Sequence, residues 1–250
     1  MRLAFGIKPA HTVGHLQNDG AMTDTFFIRR ATADDMETII GMIDEAADWL
    51  ATKGTDQWSR PWPSRTARDA RIRRGILGLD TWIVEDHGEP VATITCRKFG
   101  NQKLWTPGEL HDSAVYACRL IVRRRWAYDG IGAALIDWAG YRALQTWKAQ
   151  WIRIDVWTSN LALQAYYEKL GFAPVRICTG NEPGSSPSGA LFQKPTAEVD
   201  EVAATRFTQA TGRPLEPGQR SRLPVAQGSL SRPAESASKA PARHGPVPTA

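Results

Sequence analysis

Residues 114–138 read AVYACRLIVRRRWAYDGIGAALIDW, and three kinds of local structure follow one another within them. Ala114–Val122 is apolar and β-branched, which predicts a strand. Gly130 and Gly132 then punctuate the chain. From Ile131 onward Ile131, Leu135, Trp138 and Arg142 fall on one side of a helix that runs to Trp147. Trp151–Trp157 is again strand-like. Strand, helix and strand in this order form a βαβ-like unit, two parallel neighbours joined by a crossover helix.

The flanking sequence adds antiparallel pieces. Thr81–Glu85 and Pro90–Arg97 predict a hairpin closed by Asp86-His87-Gly88-Glu89, so the sheet is mixed. Upstream lie a strand at Thr25–Arg30 and a helix capped by Thr32 that continues to about Lys53. Met36, Ile39, Ile40, Ile43 and Leu50 recur along it at helical spacing. Gly54 stops that helix. The prolines in Gln57-Trp58-Ser59-Arg60-Pro61-Trp62-Pro63 demand a loop, and a second helix covers Arg65–Leu77. Downstream come a helix at Leu161–Leu170 and late strands at Ala173–Cys178 and Ala190–Gln193.

Composition bounds the rest. Of 250 residues 42 % are hydrophobic, enough for a sizeable core, and all ten tryptophans fall between Trp49 and Trp157. No run reaches the roughly 18 apolar residues of a membrane span, and the first twenty residues carry Arg2, Lys8, His11 and His15 without the apolar stretch of a secretory signal. Cys96, Cys118 and Cys178 are odd in number and widely spaced, without metal-ligand pairing. They read as reduced thiols of a cytoplasmic protein with no metal. Half of the sixteen prolines lie from Pro195 onward, where Phe207 is the only aromatic residue. Such a segment buries too little apolar surface to offset the entropy of ordering. The expected organisation is a flexible leader (1–23), one domain (24–195) and a mostly disordered tail (196–250), with a short helix around Val199–Thr208.

The net charge is +5, concentrated in Arg71, Arg73 and Arg74 and in Arg119 with Arg123, Arg124 and Arg125. A phosphate-rich small ligand, a polynucleotide and a solvated surface all accommodate such clusters. No helix-turn-helix, zinc or RNA-binding motif accompanies them, so no nucleic-acid partner is expected.

The Tyr128–Ala133 junction carries the chemistry. Glycines let the backbone approach a ligand closely, and a helix start presents N–H groups without internal partners together with a partial positive charge. A diphosphate suits such a site, with Arg124 or Arg125 placed to touch a further phosphate. By itself the Gly-x-Gly turn is equally an ordinary strand-to-helix connection. A dinucleotide-binding fingerprint fails because Leu135 occupies its third glycine position, and a P-loop fails for want of Gly-Lys-Ser/Thr. Further on, Asn160 caps and Gly171 stops a helix containing Tyr166 and Tyr167.

Together, the glycine turn between strand and helix and the later Asn-x6-Tyr-Glu-Lys-x-Gly-Phe resemble the GCN5-related N-acetyltransferase (GNAT) family, from roughly Phe26 to Lys194. The resemblance implies an α/β (α+β) fold with a mixed, mostly antiparallel sheet, a splayed parallel central pair and flanking helices. It also implies an enzyme using acetyl-CoA. The loop of that family usually reads Arg/Gln-x-x-Gly-x-Gly/Ala and holds the coenzyme A pyrophosphate by backbone amides. Here Ala127 replaces the Arg/Gln, leaving a cradle of Tyr128, Asp129, Gly130, Ile131, Gly132 and Ala133. The resemblance places Leu120 and Val122 along the pantetheine through their backbone, Asn160 beside it, and Tyr167 as the acid that protonates the leaving thiolate.

Transfer to a primary amine of a small-molecule acceptor, directly within a ternary complex, is the implied reaction; a non-catalytic acyl-CoA-binding module is the alternative. Homodimerisation enters by analogy alone. Such a transfer needs a base, and Glu45, Asp112 and Asp155 are the candidates, Asp155 being equally readable as structural. Trp49, Gln57, Trp58 and Trp62 offer aromatic walls and one polar contact for the acceptor, or else close the core.

Overall fold

The computed structural model describes residues 25–209, apart from 60, 62 and 179–186. The strands are β1 (Phe26–Arg30), β2 (Thr81–Asp86), β3 (Glu89–Arg97), β4 (Ala114–Val122), β5 (Trp151–Trp157), β6 (Ala173–Ile177), β7 (Ser188–Pro195) and β8 (Phe207–Gln209). The helices are α1 (Met36–Ala51), α2 (Arg65–Leu77), α3 (Pro107–His111), α4 (Ile131–Trp147), α5 (Leu161–Lys169) and α6 (Glu201–Ala204). All eight strands join in one sheet, in the order β6-β7-β5-β4-β3-β2-β1-β8. The β4–β5 and β1–β8 pairs are parallel and the others antiparallel, so the expected mixed sheet with a parallel central pair is present.

Strand alternation assigns the faces. Val115 and Ala117 of β4 and Ile152, Ile154 and Val156 of β5 face a core shared with Ile131, Leu135 and Trp138 of α4. Ile83 and Ile121 face the other way, against Ile39, Met42 and Ile43 of α1 and Ile72 and Ile76 of α2. One irregularity interrupts the alternation. Thr95 of β3 pairs with Cys118, yet Thr93 pairs with Ile121, so β4 carries one extra residue there. Arg119, at φ 53°, is in the left-handed region that glycine normally fills. This is a β-bulge, which bends the strand and re-aims its side chains.

One sequence expectation differs from the structure. The domain does not end at 195: a 3-10 turn (Thr196–Glu198), α6 and β8 follow, and β8 pairs with β1 through Phe26–Phe207 and Ile28–Gln209. Phe207 is buried beside Phe26 and Trp138, with ring centroids 6.2 and 6.4 Å away. The prolines of the segment made it look unable to pack, although Val199, Ala204 and Phe207 suffice to anchor it. An element without a counterpart in the sequence reading is α3, a short helix begun by Pro107 and a Thr106–Glu109 capping box, too brief to show a period. The expected leader (1–23) and the tail beyond 209 lie outside the described residues. Among those residues no helix is long and apolar enough to cross a membrane.

Candidate active site

The parallel pair β4–β5 is hydrogen-bonded for only part of its length. Ala114, Val115 and Tyr116 pair with Trp151, Ile152 and Arg153, and there the ladder stops. From Ala117 onward β4 pairs only with β3, and from Ile154 onward β5 pairs only with β7. The two strands therefore part at their C-terminal halves, and the bulge at Arg119 lies within the parted section. Main-chain groups on these inner edges, including those near Leu120 and Val122, have no strand partner.

The glycine turn stands where β4 leads into α4. Gly130, at φ 69°, occupies the N-cap in the left-handed conformation that its missing Cβ permits. The first bond of the helix runs from Ala134 N–H to the Gly130 carbonyl at 3.1 Å. The amides of Ile131, Gly132 and Ala133 precede that ladder and have no partner within the helix. A Cβ on Gly132 would meet Val122 Cγ2 at 3.6 Å and Tyr166 Oη at 3.7 Å. Both are ordinary contacts, so no steric conflict within the protein requires glycine there. The space kept free suits a diphosphate seated on the amides.

The remaining cradle residues divide. The Asp129 amide is committed to the Trp126 carbonyl at 3.3 Å, which removes it from the expected set of donors. The backbone amide of Arg124 donates to Glu45 Oε1 at 2.8 Å, while its guanidinium stacks 3.9 Å over Trp49 and donates to Tyr128 Oη at 3.2 Å. Arg125 is exposed and lies 3.6 Å from Glu89. Arg206 was not foreseen. Its Nη1 donates to the Asp129 carbonyl at 2.9 Å and lies 3.6 Å from where a Gly130 Cβ would be.

On α5 the two tyrosines separate by burial. Tyr167 is 8 % exposed, with its ring 5.6 Å from Phe172, whereas Tyr166 is 40 % exposed. Burial, with Tyr166 and Asp155 nearby, pushes the Tyr167 phenol well above its usual range, so it stays protonated at neutral pH. Asn160 caps α5 by accepting from Leu163 N–H at 3.0 Å, and its Nδ2 donates to Gln57 Oε1 at 2.7 Å.

Gln57 is thus a buried clamp on the start of α5 rather than an open polar contact. Trp49 lies under Arg124, and Trp58 packs on the core between α1 and α2. These are the surroundings of three of the four residues expected to meet the acceptor; Trp62 lies outside the described residues.

Two of the three base candidates are already bound to arginines. Glu45 binds Arg123 Nη1 at 3.1 Å as well as the Arg124 amide, and Asp112 pairs with buried Arg153 at 2.6 Å. Asp155 sits on the parted half of β5, on the same face as Arg153 and opposite to Ile154. Burial pushes its carboxyl up to about 6, against the opposing effects of the Ser188 hydroxyl, Arg97 and Arg119. Burial also raises the Cys118 thiol, which weighs against a thiolate nucleophile.

The architecture is that of an α/β protein whose mixed sheet has a parallel pair opening beside a glycine-capped helix start. Residues 78–174 match the family model of the acetyltransferase (GNAT) domain. The uncharacterized N-acetyltransferase YesJ of Bacillus subtilis (strain 168) is 27 % identical over 166 residues, 64 % of this chain and 88 % of YesJ. A GNAT-family acetyltransferase structure from Listeria monocytogenes 4b F2365 is 24 % identical with a TM-score of 0.53, covering 68 % of this chain and 94 % of that one. Another, from Streptococcus agalactiae 2603, is 19 % identical with a TM-score of 0.54, covering 68 % and 95 %. These similarities support a relationship of the chain to the GNAT acetyltransferase family over residues 78–174.

Proposed function

We propose that the protein transfers an acetyl group from acetyl-CoA to the primary amine of a small acceptor, directly and within a ternary complex. The observation that carries this reading is the parting of β4 from β5 beside the uncommitted amides of Ile131, Gly132 and Ala133. When bound, acetyl-CoA supplies an activated acyl carbon and a thiol leaving group.

The chain's own residues have three tasks. The amides of α4 and the inner edge of β4 near Leu120 and Val122 orient the donor between the strands. Asp155 takes a proton from the attacking nitrogen, directly or through water, its raised pKa making it a stronger base than an ordinary carboxylate. Tyr167 holds a proton on its phenol and gives it to the departing sulfur. The free thiols Cys96, Cys118 and Cys178 favour a reducing, cytoplasmic setting.

The test is a panel of amines incubated with the full chain and acetyl-CoA, following thiol release. Acceptor-dependent release is the expected result. Tight coenzyme A binding without release for any amine would favour a non-catalytic sensor instead.

A further inference from the structure

On the face of the sheet that packs against α2, basic side chains converge beside the parted strands. Arg119 comes from the bulge of β4, Arg97 from β3, and Arg71 and Arg74 from α2. Arg119 Nη1 lies 3.8 Å from where a Cβ on Gly75 of α2 would be, which fixes its side chain between the sheet and that helix. Its hydrogen bond goes to the neutral Thr95 Oγ1 at 3.3 Å, and Thr95 Oγ1 is itself 3.0 Å from Thr81 Oγ1. Arg97 reaches a carboxylate only at 4.0 Å, through Asp80.

The basic groups act on one another. Burial and then the charges of Arg119, Arg74 and Arg97 lower the Arg71 pKa, while burial and then Arg97 lower that of Arg119. Arg119 also bears the backbone strain of φ 53°. A strained, desolvated guanidinium with a neutral hydroxyl for a partner does not serve stability. It is poised for an anion that arrives with the ligand. Cys118 and Asp155 share this neighbourhood, since both are electrostatic neighbours of Arg119. Helix α4 packs on the opposite layer, where Leu120 and Val122 also pack.

We infer that the acceptor amine also carries an anionic group, a carboxylate or a phosphate ester, which Arg119 and Arg97 hold while its amine points toward Asp155. The assignment rests on the proposed acetyl transfer for the amine, and on the arginine geometry for the anion. Arginine suits either anion because its planar fork donates two parallel hydrogen bonds.

The experiment measures binding and turnover separately on the full chain saturated with coenzyme A or supplied with acetyl-CoA. Calorimetry compares O-phosphoethanolamine with ethanolamine and β-alanine with β-alaninamide; thiol release follows the same four compounds. In at least one pair the anionic member binds about tenfold tighter or more, and Arg119→Gln and Arg97→Gln each reduce that advantage by about tenfold while coenzyme A affinity holds. The pair that responds tells phosphate from carboxylate.

Equal binding within both pairs, binding of none of the four, or retention of the preference in both variants would overturn the inference. So would a fall in coenzyme A affinity in the variants, which would give the arginines to the donor's phosphates. Melting curves identify a variant that fails to fold, and the other variant then decides. Anion-dependent binding without thiol release would leave this inference standing and defeat the proposed activity.

Discussion

Arg206 Nη1 donates to the Asp129 carbonyl oxygen at 2.9 Å, fastening the segment before β8 to the turn that opens α4. The two residues are 77 positions apart in sequence, and the bond joins them at the rim of the amide cradle. GNAT sequences usually place an Arg or Gln where this chain has Ala127. A guanidinium has five donors and Asp129 takes one of them. Arg206 therefore brings to this turn the kind of group that Ala127 lacks.

Arg206→Ala is expected to weaken coenzyme A binding about fivefold, the scale of one charge-assisted hydrogen bond at a partly exposed site. Arg206→Lys should retain part of the affinity, since it keeps the charge but loses the fork. Calorimetric titration of both variants checks this. An unchanged Kd would confine Arg206 to holding the loop.

Phe207 tests the corrected domain boundary. Its ring fills space between Phe26 and Trp138, so truncation leaves a cavity as well as losing burial. Phe207→Ala should cost about 3 kcal/mol, which in a domain of this size lowers Tm by about 6–12 °C. A thermal melt showing less than a degree of change would mean that β8 contributes nothing to the folded unit.

The neighbouring tyrosines make opposite predictions. Tyr167→Phe should leave coenzyme A binding intact and lower kcat by about 10²–10⁴-fold, as expected for loss of a sole general acid. Tyr166, whose hydroxyl lies near Gly132, should instead alter donor affinity when changed to Phe and leave kcat within a fewfold. Steady-state kinetics with separate donor and acceptor titrations distinguish the two. If the kcat loss follows Tyr166, the acid roles are exchanged.

What the sequence disclosed was local. The apolar period of Ile131, Leu135 and Trp138 and the run Ala114–Val122 are set within a few residues, so the βαβ unit was readable from them. Gly130 was readable for the same reason: its φ of 69° dictates the residue type. The hidden features depend on distant partners. Gln57 looked like a substrate contact because nothing nearby announces Asn160, 103 positions away. Glu45 looked like a free base, yet its partners Arg123 and Arg124 lie on another element. The bulge was equally concealed, because Arg119 is a residue type that ordinarily avoids positive φ. A pairing jump between Thr93 and Thr95 creates it.

Asp155 couples activity to stability with a definite sign. Its carboxyl is raised from 3.8 to about 6, so the folded state binds its proton more tightly than the unfolded state does. The stabilisation due to this group is fully present below the unfolded value, declines as pH rises from about 4 to 6, and is absent above. At pH 8 the folded protein therefore carries a buried charge that Asp155→Asn removes. The variant should be as stable as the parent at pH 4 and more stable at pH 8, by about 2–3 kcal/mol. Its kcat/KM for the acceptor should fall, and the ascending limb near pH 6 should vanish. Chemical denaturation at the two pH values and a pH–rate profile check both halves. A destabilised variant that keeps the limb would make Asp155 a structural residue and leave the base to another group.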